Sequence, residues 1–79
     1  MKTMTCKQLG GACDVMFTAA TFDEIAALSK QHGMKMFQQK DIAHLHAMKE
    51  MQTLMQSKEG MNKWFENKRK EFESLPDEA

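Results

Sequence analysis

Residues 13–25 read CDVMFTAATFDEI, and within this stretch a strand pattern gives way to a helix pattern. Apolar side chains first fall on every second position, at Cys13, Val15, Phe17 and Ala19. This alternation predicts an extended segment with one buried side. The next residues form a capping box, in which Thr21 and Glu24 exchange hydrogen bonds between side chains and backbone amides. The stretch therefore predicts a strand that ends near residue 19 and a helix that begins at residue 22.

A second strand pattern precedes this one. Met4 and Cys6 alternate with more polar residues, and a Gly10-Gly11 pair separates the two patterns. Glycine adopts the positive φ angles that a chain reversal needs. We therefore predict a β-hairpin over residues 2–19 with a loop longer than the tightest kind. A lone hairpin is only marginally stable in water, so a helix is expected to cover one of its faces.

The first helix is predicted over residues 22–38. Its apolar period continues through Gly33 to Phe37, so we expect the glycine to lie inside the helix. An interior glycine costs about 1 kcal/mol relative to alanine. Such a cost suggests close packing at this point, with the hairpin as the expected neighbour of Gly33.

Two further helices are predicted. Asp41 is a suitable N-cap for a helix over residues 42–56, and Ser57 for one over residues 58–74. No repeat, linker or low-complexity segment divides the chain. We therefore expect residues 1–79 to form a single small α+β domain with the element order ββααα.

Charge and composition exclude several classes of partner. The 79 residues carry 11 basic and 11 acidic side chains, so the net charge at pH 7 is zero. Nucleic acids and anionic membranes attract proteins with excess positive charge and are not expected partners. The opening residues lack the apolar segment of a signal peptide. This predicts a soluble, cytoplasmic protein, in which the two cysteines are reduced thiols.

The first half of the chain resembles a family of small bacterial proteins known only as a domain of unknown function. The resemblance rests on Thr5-Cys6, Leu9-Gly10, Cys13, Phe17, Thr21 through Ile25, and His32. It implies a bacterial source and a related fold but no activity. Phe37 stands where we expect a second histidine in the shorter members, and the two later helices form an extension.

The two cysteines allow three interpretations. Cys6 and Cys13 flank the predicted hairpin loop and can face each other. They can form a reversible disulfide, bind a soft metal with His32 as a third ligand, or simply pack as small apolar side chains. A structural zinc site needs four ligands, and this set lacks the fourth.

The later helices carry a stripe of methionines, and the chain has 9 methionines in all. Thioethers at Met48 and Met51, together with His44, are a possible Cu(I) site. The same stripe can also form an adaptable groove for apolar partners, or replace leucine in the core or a dimer seam. His44 and His46 point about 200° apart on a helix, so they cannot bind one ion together.

No catalytic motif is present, so we predict a non-enzymatic protein without a cofactor. The first functional hypothesis is a homo-oligomerising or partner-binding module, whose partner is a second copy or an unidentified protein. Unpaired hairpin edges favour a symmetric dimer. The expected interaction surface consists of Met48, Met51, Met55, Trp64 and Phe65. Trp64 and Phe65 are also the expected apolar anchor of the third helix.

The alternative hypothesis is a metal-binding or thiol-redox protein that uses Cys6 and Cys13.

Overall fold

A computed structural model describes residues 1–77 and has the element order ββααα, which confirms the predicted α+β class. The two strands are β1 (Lys2–Thr5) and β2 (Met16–Ala19), and one turn of 3-10 helix (Lys7–Leu9) lies in the loop between them. The three helices are α1 (Phe22–Gln38), α2 (Ile42–Leu54) and α3 (Lys58–Ser74). The second helix thus ends two residues before its expected end at 56. Within residues 1–77, no helix combines the length and apolar character needed to cross a membrane.

The strands form an antiparallel pair in which Met4 lies opposite Phe17. Met4, Phe17 and Ala19 are buried on the face that α1 covers. Val15 was expected on the same face, but it precedes β2 and is 43% exposed. The reason is that residue 15 still belongs to the loop, where its carbonyl accepts a hydrogen bond from the Cys6 amide at 2.8 Å.

The core joins the hairpin to α1 and α3. Phe22 and Ile25 are the buried residues of α1, and Phe72 is the buried residue of α3. The rings of Phe22 and Phe72 lie 6.0 Å apart between centroids. The anchor of α3 is therefore Phe72, and the expectation of Trp64 and Phe65 was wrong. The last turns of α3 lie against β1, whereas Trp64 is half-buried and Phe65 is 40% exposed.

A tight reversal connects α1 to α2. Lys40 adopts the left-handed conformation with φ 56°, and its amide donates to the Phe37 carbonyl. The Asp41 amide donates to the Met36 carbonyl at 3.2 Å, which completes a Schellman motif. Asp41 then accepts a hydrogen bond from the His44 amide and begins α2. The first turn of α2 therefore starts directly beside the end of α1.

Helix α1 continues through Gly33, as the apolar period predicts. Its neighbour, however, is α2 and not the hairpin. A Cβ atom placed on Gly33 would have the Met48 Cε atom, at 3.8 Å, as its nearest neighbour. Gly33 therefore lies at the contact between α1 and α2, which pack against each other after the Schellman turn.

Candidate metal centre

Four side chains with metal-binding atoms converge between the hairpin loop, α1 and α2. They are Cys6, Cys13, His32 and His44. One sulfur or nitrogen of each lies within 4.8 Å of the corresponding atom of the other three. The cluster contains the three residues that the sequence predicted as metal ligands, and His44 as a fourth.

Backbone hydrogen bonds place the two cysteines on facing segments of the loop. Cys6 follows β1, and its amide donates to the Val15 carbonyl at 2.8 Å. The next amide, that of Lys7, donates to the Cys13 carbonyl at 3.0 Å. These bonds extend the strand pairing into the loop. The pairing within the loop is therefore sufficient to bring the Cys6 and Cys13 side chains close together.

Gly11 lets the loop fold over the Cys6 sulfur. A Cβ atom on Gly11 would lie 2.1 Å from Cys6 Sγ and 3.0 Å from the Cys6 carbonyl oxygen. The first distance is incompatible with a side chain unless the sulfur moves, and the second is a tight contact. The preceding residue, Gly10, has φ +91° and returns the chain after the 3-10 helix. The glycine pair therefore provides both the reversal and the space for the sulfur.

His32 reaches the cluster from the middle of α1. Its Nε2 atom lies 3.2 Å from Cys13 Sγ, and its ring packs edge-on against Phe17 with 5.6 Å between centroids. Burial lowers the pKa of the His32 imidazole, and the nearby charges of His44 and Lys35 lower it further. His32 is therefore held in the neutral form, which is the form that binds metal ions.

His44 reaches the cluster from the first turn of α2 and is only 6% exposed. Its Nδ1 atom lies 2.5 Å from the Asp41 carboxylate, and its Nε2 atom lies 3.7 Å from Cys6 Sγ. The hydrogen bond to Asp41 raises the pKa of His44, and the same bond lowers the pKa of Asp41. Once Nε2 has lost its proton, donation of the Nδ1 proton to the carboxylate directs the Nε2 lone pair towards the cysteines, as in many metal-bound histidines.

The two thiols differ in their surroundings. Burial raises the pKa of the Cys6 thiol above its ordinary value. Burial also acts to raise the pKa of Cys13, but hydrogen bonds from the Val15 amide and the His44 imidazole outweigh it and lower that pKa. Cys13, which is half-buried, is therefore the thiol that ionises more readily.

The distances suit a tetrahedral ion. With Zn–S bonds of about 2.3 Å and Zn–N bonds of about 2.0 Å, neighbouring ligand atoms lie about 3.3–3.8 Å apart. The Cys13–His32 and Cys6–His44 separations are 3.2 and 3.7 Å. No pair in the cluster exceeds 4.8 Å. Small side-chain rotations can therefore complete a site with two sulfur and two nitrogen ligands.

The sequence does not predict His44 as a member of this cluster. Its helical spacing groups His44 with the methionine stripe, whereas in the structure the ring turns towards Cys6. One signal was present in the sequence. Asp41 and His44 have the spacing at which an N-cap carboxylate can bond both the amide and the ring of the same residue. His46, two positions on, is exposed.

A cavity of about 200 Å³ opens beside the cluster, and Cys6, His32 and His44 contribute to its wall. Met48 and Met51 line the same cavity. The predicted interaction surface extends beyond this cavity. Four of its five residues, Met51, Met55, Trp64 and Phe65, line an adjoining apolar groove of about 400 Å³, and Met51 lines both spaces. Oligomerisation or partner binding through this groove stays a prediction.

Comparison of the chain with protein-family models, curated proteins and solved structures found no match. The resemblance of the first half of the chain to a small bacterial family therefore stays a prediction.

The metal preference of the cluster follows from its donor atoms and their geometry. Two sulfurs and two imidazole nitrogens at these distances form a set that borderline and soft metal ions favour.

The close approach of Gly11 to Cys6 gives a first prediction. We expect Gly11→Ala to lower the free energy of unfolding by about 1–3 kcal/mol, because the added methyl group forces the Cys6 sulfur and the loop apart. Urea denaturation followed by circular dichroism measures this change.

Gly33→Ala is the matched control. Its added methyl group meets only Met48 Cε at 3.8 Å, an ordinary contact. Alanine also favours a helix interior by about 0.5–1 kcal/mol over glycine, so this variant is expected to equal or exceed the parent in stability. A Gly11→Ala protein as stable as the parent would show that the loop does not pack on the sulfur as described.

Proposed function

We propose that this chain is a zinc-binding protein whose ion lies among Cys6, Cys13, His32 and His44. The observation that carries the proposal is the convergence of their four donor atoms within 4.8 Å. The four side chains come from three separate parts of the fold, so their meeting is not a by-product of neighbouring positions in the sequence. Structural zinc sites most often have four such ligands in a tetrahedron.

Charge balance favours a divalent ion at this site. Two thiolates neutralise the charge of Zn²⁺, and the two imidazoles add none. The complete centre is then neutral, which suits a place where Cys6 and His44 are 4% and 6% exposed. An isolated charge at such a place would carry a large desolvation cost. Filling the site with zinc therefore removes the cost of burying two thiolates close together.

The cluster is a better metal site than the alternative of Met48, Met51 and His44. His44 has its Nδ1 atom on Asp41 and its Nε2 atom near Cys6, so neither ring nitrogen is directed to a thioether. A set of two sulfurs and two nitrogens in a tetrahedron is typical of zinc. The methionines then serve as apolar wall beside the centre.

A bound ion would hold α2 in place. His44 is the buried residue of α2, whose other side chains between 42 and 54 are half-buried or exposed. Because α2 has so little buried apolar surface, packing alone stabilises its position weakly. Metal coordination would join α2 to α1 and to both sides of the hairpin loop. The proposed role of the zinc is therefore structural.

The proposal is tested by replacing each ligand in turn. We expect the parent to bind one zinc ion, and Cys6→Ser, Cys13→Ser, His32→Ala and His44→Ala each to weaken binding by more than about a hundredfold, since even partners of metal ligands contribute 10–100-fold. Competition with a chelating indicator gives the affinity, and native mass spectrometry gives the stoichiometry.

His46→Ala is the control for these variants. It removes an exposed imidazole from the same helix, two residues from His44. We expect it to bind zinc like the parent. A parent chain that takes up no zinc contradicts the proposal, and so does a His44→Ala variant that binds as tightly as His46→Ala.

The contact between Asp41 and His44 gives a separate prediction. Asparagine is as good an N-cap as aspartate, so Asp41→Asn is expected to retain α2 while losing the negative charge beside the His44 ring. We expect zinc affinity to fall by about 10–100-fold, because the carboxylate orients the imidazole and strengthens it as a ligand. Circular dichroism checks the helix content.

Ser57→Ala provides the matched control for a lost cap. The Ser57 hydroxyl accepts a hydrogen bond from the Gly60 amide at 2.9 Å and begins α3, away from the cluster. Its loss is expected to lower stability by about 1 kcal/mol without changing zinc affinity. Equal zinc affinity in Asp41→Asn and the parent would contradict the role assigned to the carboxylate.

A further inference from the structure

We propose that hydrogen peroxide oxidises Cys6 and Cys13 to a disulfide and thereby expels the zinc ion. This inference rests on the proposed zinc site and concerns its regulation. The same two sulfur atoms would serve as metal ligands in one state and form a covalent bond in the other. The metal and the disulfide are then mutually exclusive, because a disulfide has no thiolate to offer a metal.

The geometry of the loop permits the disulfide. The two sulfurs lie within 4.8 Å of each other. The backbone around them is already paired, through Cys6 N–H to Val15 O at 2.8 Å and Lys7 N–H to Cys13 O at 3.0 Å. A disulfide has an S–S bond of about 2.05 Å, so side-chain rotation on these paired segments has to close the remaining separation.

A small oxidant has access to the site. Cys13 is half-buried, whereas Cys6 is buried. The cavity of about 200 Å³ beside Cys6 has a largely apolar wall. Hydrogen peroxide is small and uncharged and fits such a space. Because Cys13 is the less buried of the two, we expect its sulfur to meet the oxidant first and the Cys6 sulfur to complete the bond.

The reaction balances in two steps. The Cys13 thiolate attacks one peroxide oxygen, the O–O bond breaks, and Cys13 becomes a sulfenic acid as hydroxide leaves. The Cys6 thiolate then attacks the Cys13 sulfur, and a second hydroxide leaves as the S–S bond forms. The thiolates lose two electrons in all, and peroxide takes them up. With two protons from solvent, the products are one disulfide, two waters, one released Zn²⁺ and two neutral imidazoles.

Loss of the ion would act mainly on α2. The core residues Met4, Phe17, Phe22, Ile25 and Phe72 belong to the strands, α1 and α3. Cys6 belongs to the same core and Cys13 packs against it, but the disulfide would join two sulfurs that already lie within 4.8 Å of each other. The buried residue of α2 is His44, which would no longer be coordinated. Oxidation is therefore expected to loosen α2 while the rest of the fold remains.

The position of Lys7 makes the disulfide easy to detect. Lys7 lies between the two cysteines, so trypsin separates them into peptides 3–7 and 8–30. These peptides stay joined only if Cys6 and Cys13 are linked. The experiment treats the zinc-loaded full chain with hydrogen peroxide, measures free zinc with a chelating dye, and maps tryptic peptides without reductant. Methionine oxidation adds oxygen atoms to the peptides but does not join them.

We expect one zinc ion to be released for each joined peptide pair, and dithiothreitol to restore both the thiols and zinc binding. His46→Ala is expected to behave like the parent. Zinc retained with free thiols, zinc released without joined peptides, or joined peptides in a protein that keeps its zinc would each overturn the inference while leaving the zinc site standing. A chain that never loads zinc would instead contradict the proposed function, and this inference with it.

Discussion

The position of α2 depends on one buried imidazole and the carboxylate that holds it. His44 is buried, whereas the rest of α2 is at most half-buried. Asp41 bonds the His44 amide at 3.0 Å and the His44 ring at 2.5 Å. The residue that begins the helix therefore also orients its one buried side chain. This arrangement directs the first turn of α2 towards the cysteines of the hairpin loop.

The other three members of the cluster, Cys6, Cys13 and His32, are positioned by the packing of the hairpin and α1, with or without a metal ion. Strand pairing continues past β1 and brings Cys6 close to Cys13. Gly11 leaves space for the Cys6 sulfur. His32 faces the same point because α1 covers the hairpin, where the His32 ring packs on Phe17. A small domain with few buried residues thus directs four metal-binding atoms inward, where a zinc ion would add stability that packing alone supplies weakly.

Local signals in the sequence predicted most of the fold. Thr21, Asp41 and Ser57 each cap the helix that they were expected to begin, because N-caps act within one turn of the chain. The strand that contains Phe17 and the continuation of α1 through Gly33 follow from side-chain periodicity. Cys6, Cys13 and His32 are predictable as possible ligands because the hairpin and its covering helix bring them to one side.

The fourth member of the cluster could not be predicted in the same way. The place of His44 depends on the Schellman turn before α2, in which Lys40 takes a left-handed conformation that glycine or asparagine usually adopts. A lysine gives no indication of such a turn. The anchor of α3 was missed for a similar reason, since the choice between Phe72 and the Trp64-Phe65 pair depends on how α3 crosses β1. Both errors concern the relative placement of helices and not their existence.

X-ray absorption at the zinc edge of the loaded full chain reports the ligands of the ion itself. We expect a single zinc environment with two sulfur ligands at about 2.3 Å and two imidazole nitrogens at about 2.0–2.1 Å. This result would place Cys6, Cys13, His32 and His44 around one ion. A shell of oxygen and nitrogen alone, without sulfur, would rule out this site and show that zinc binds this protein somewhere else.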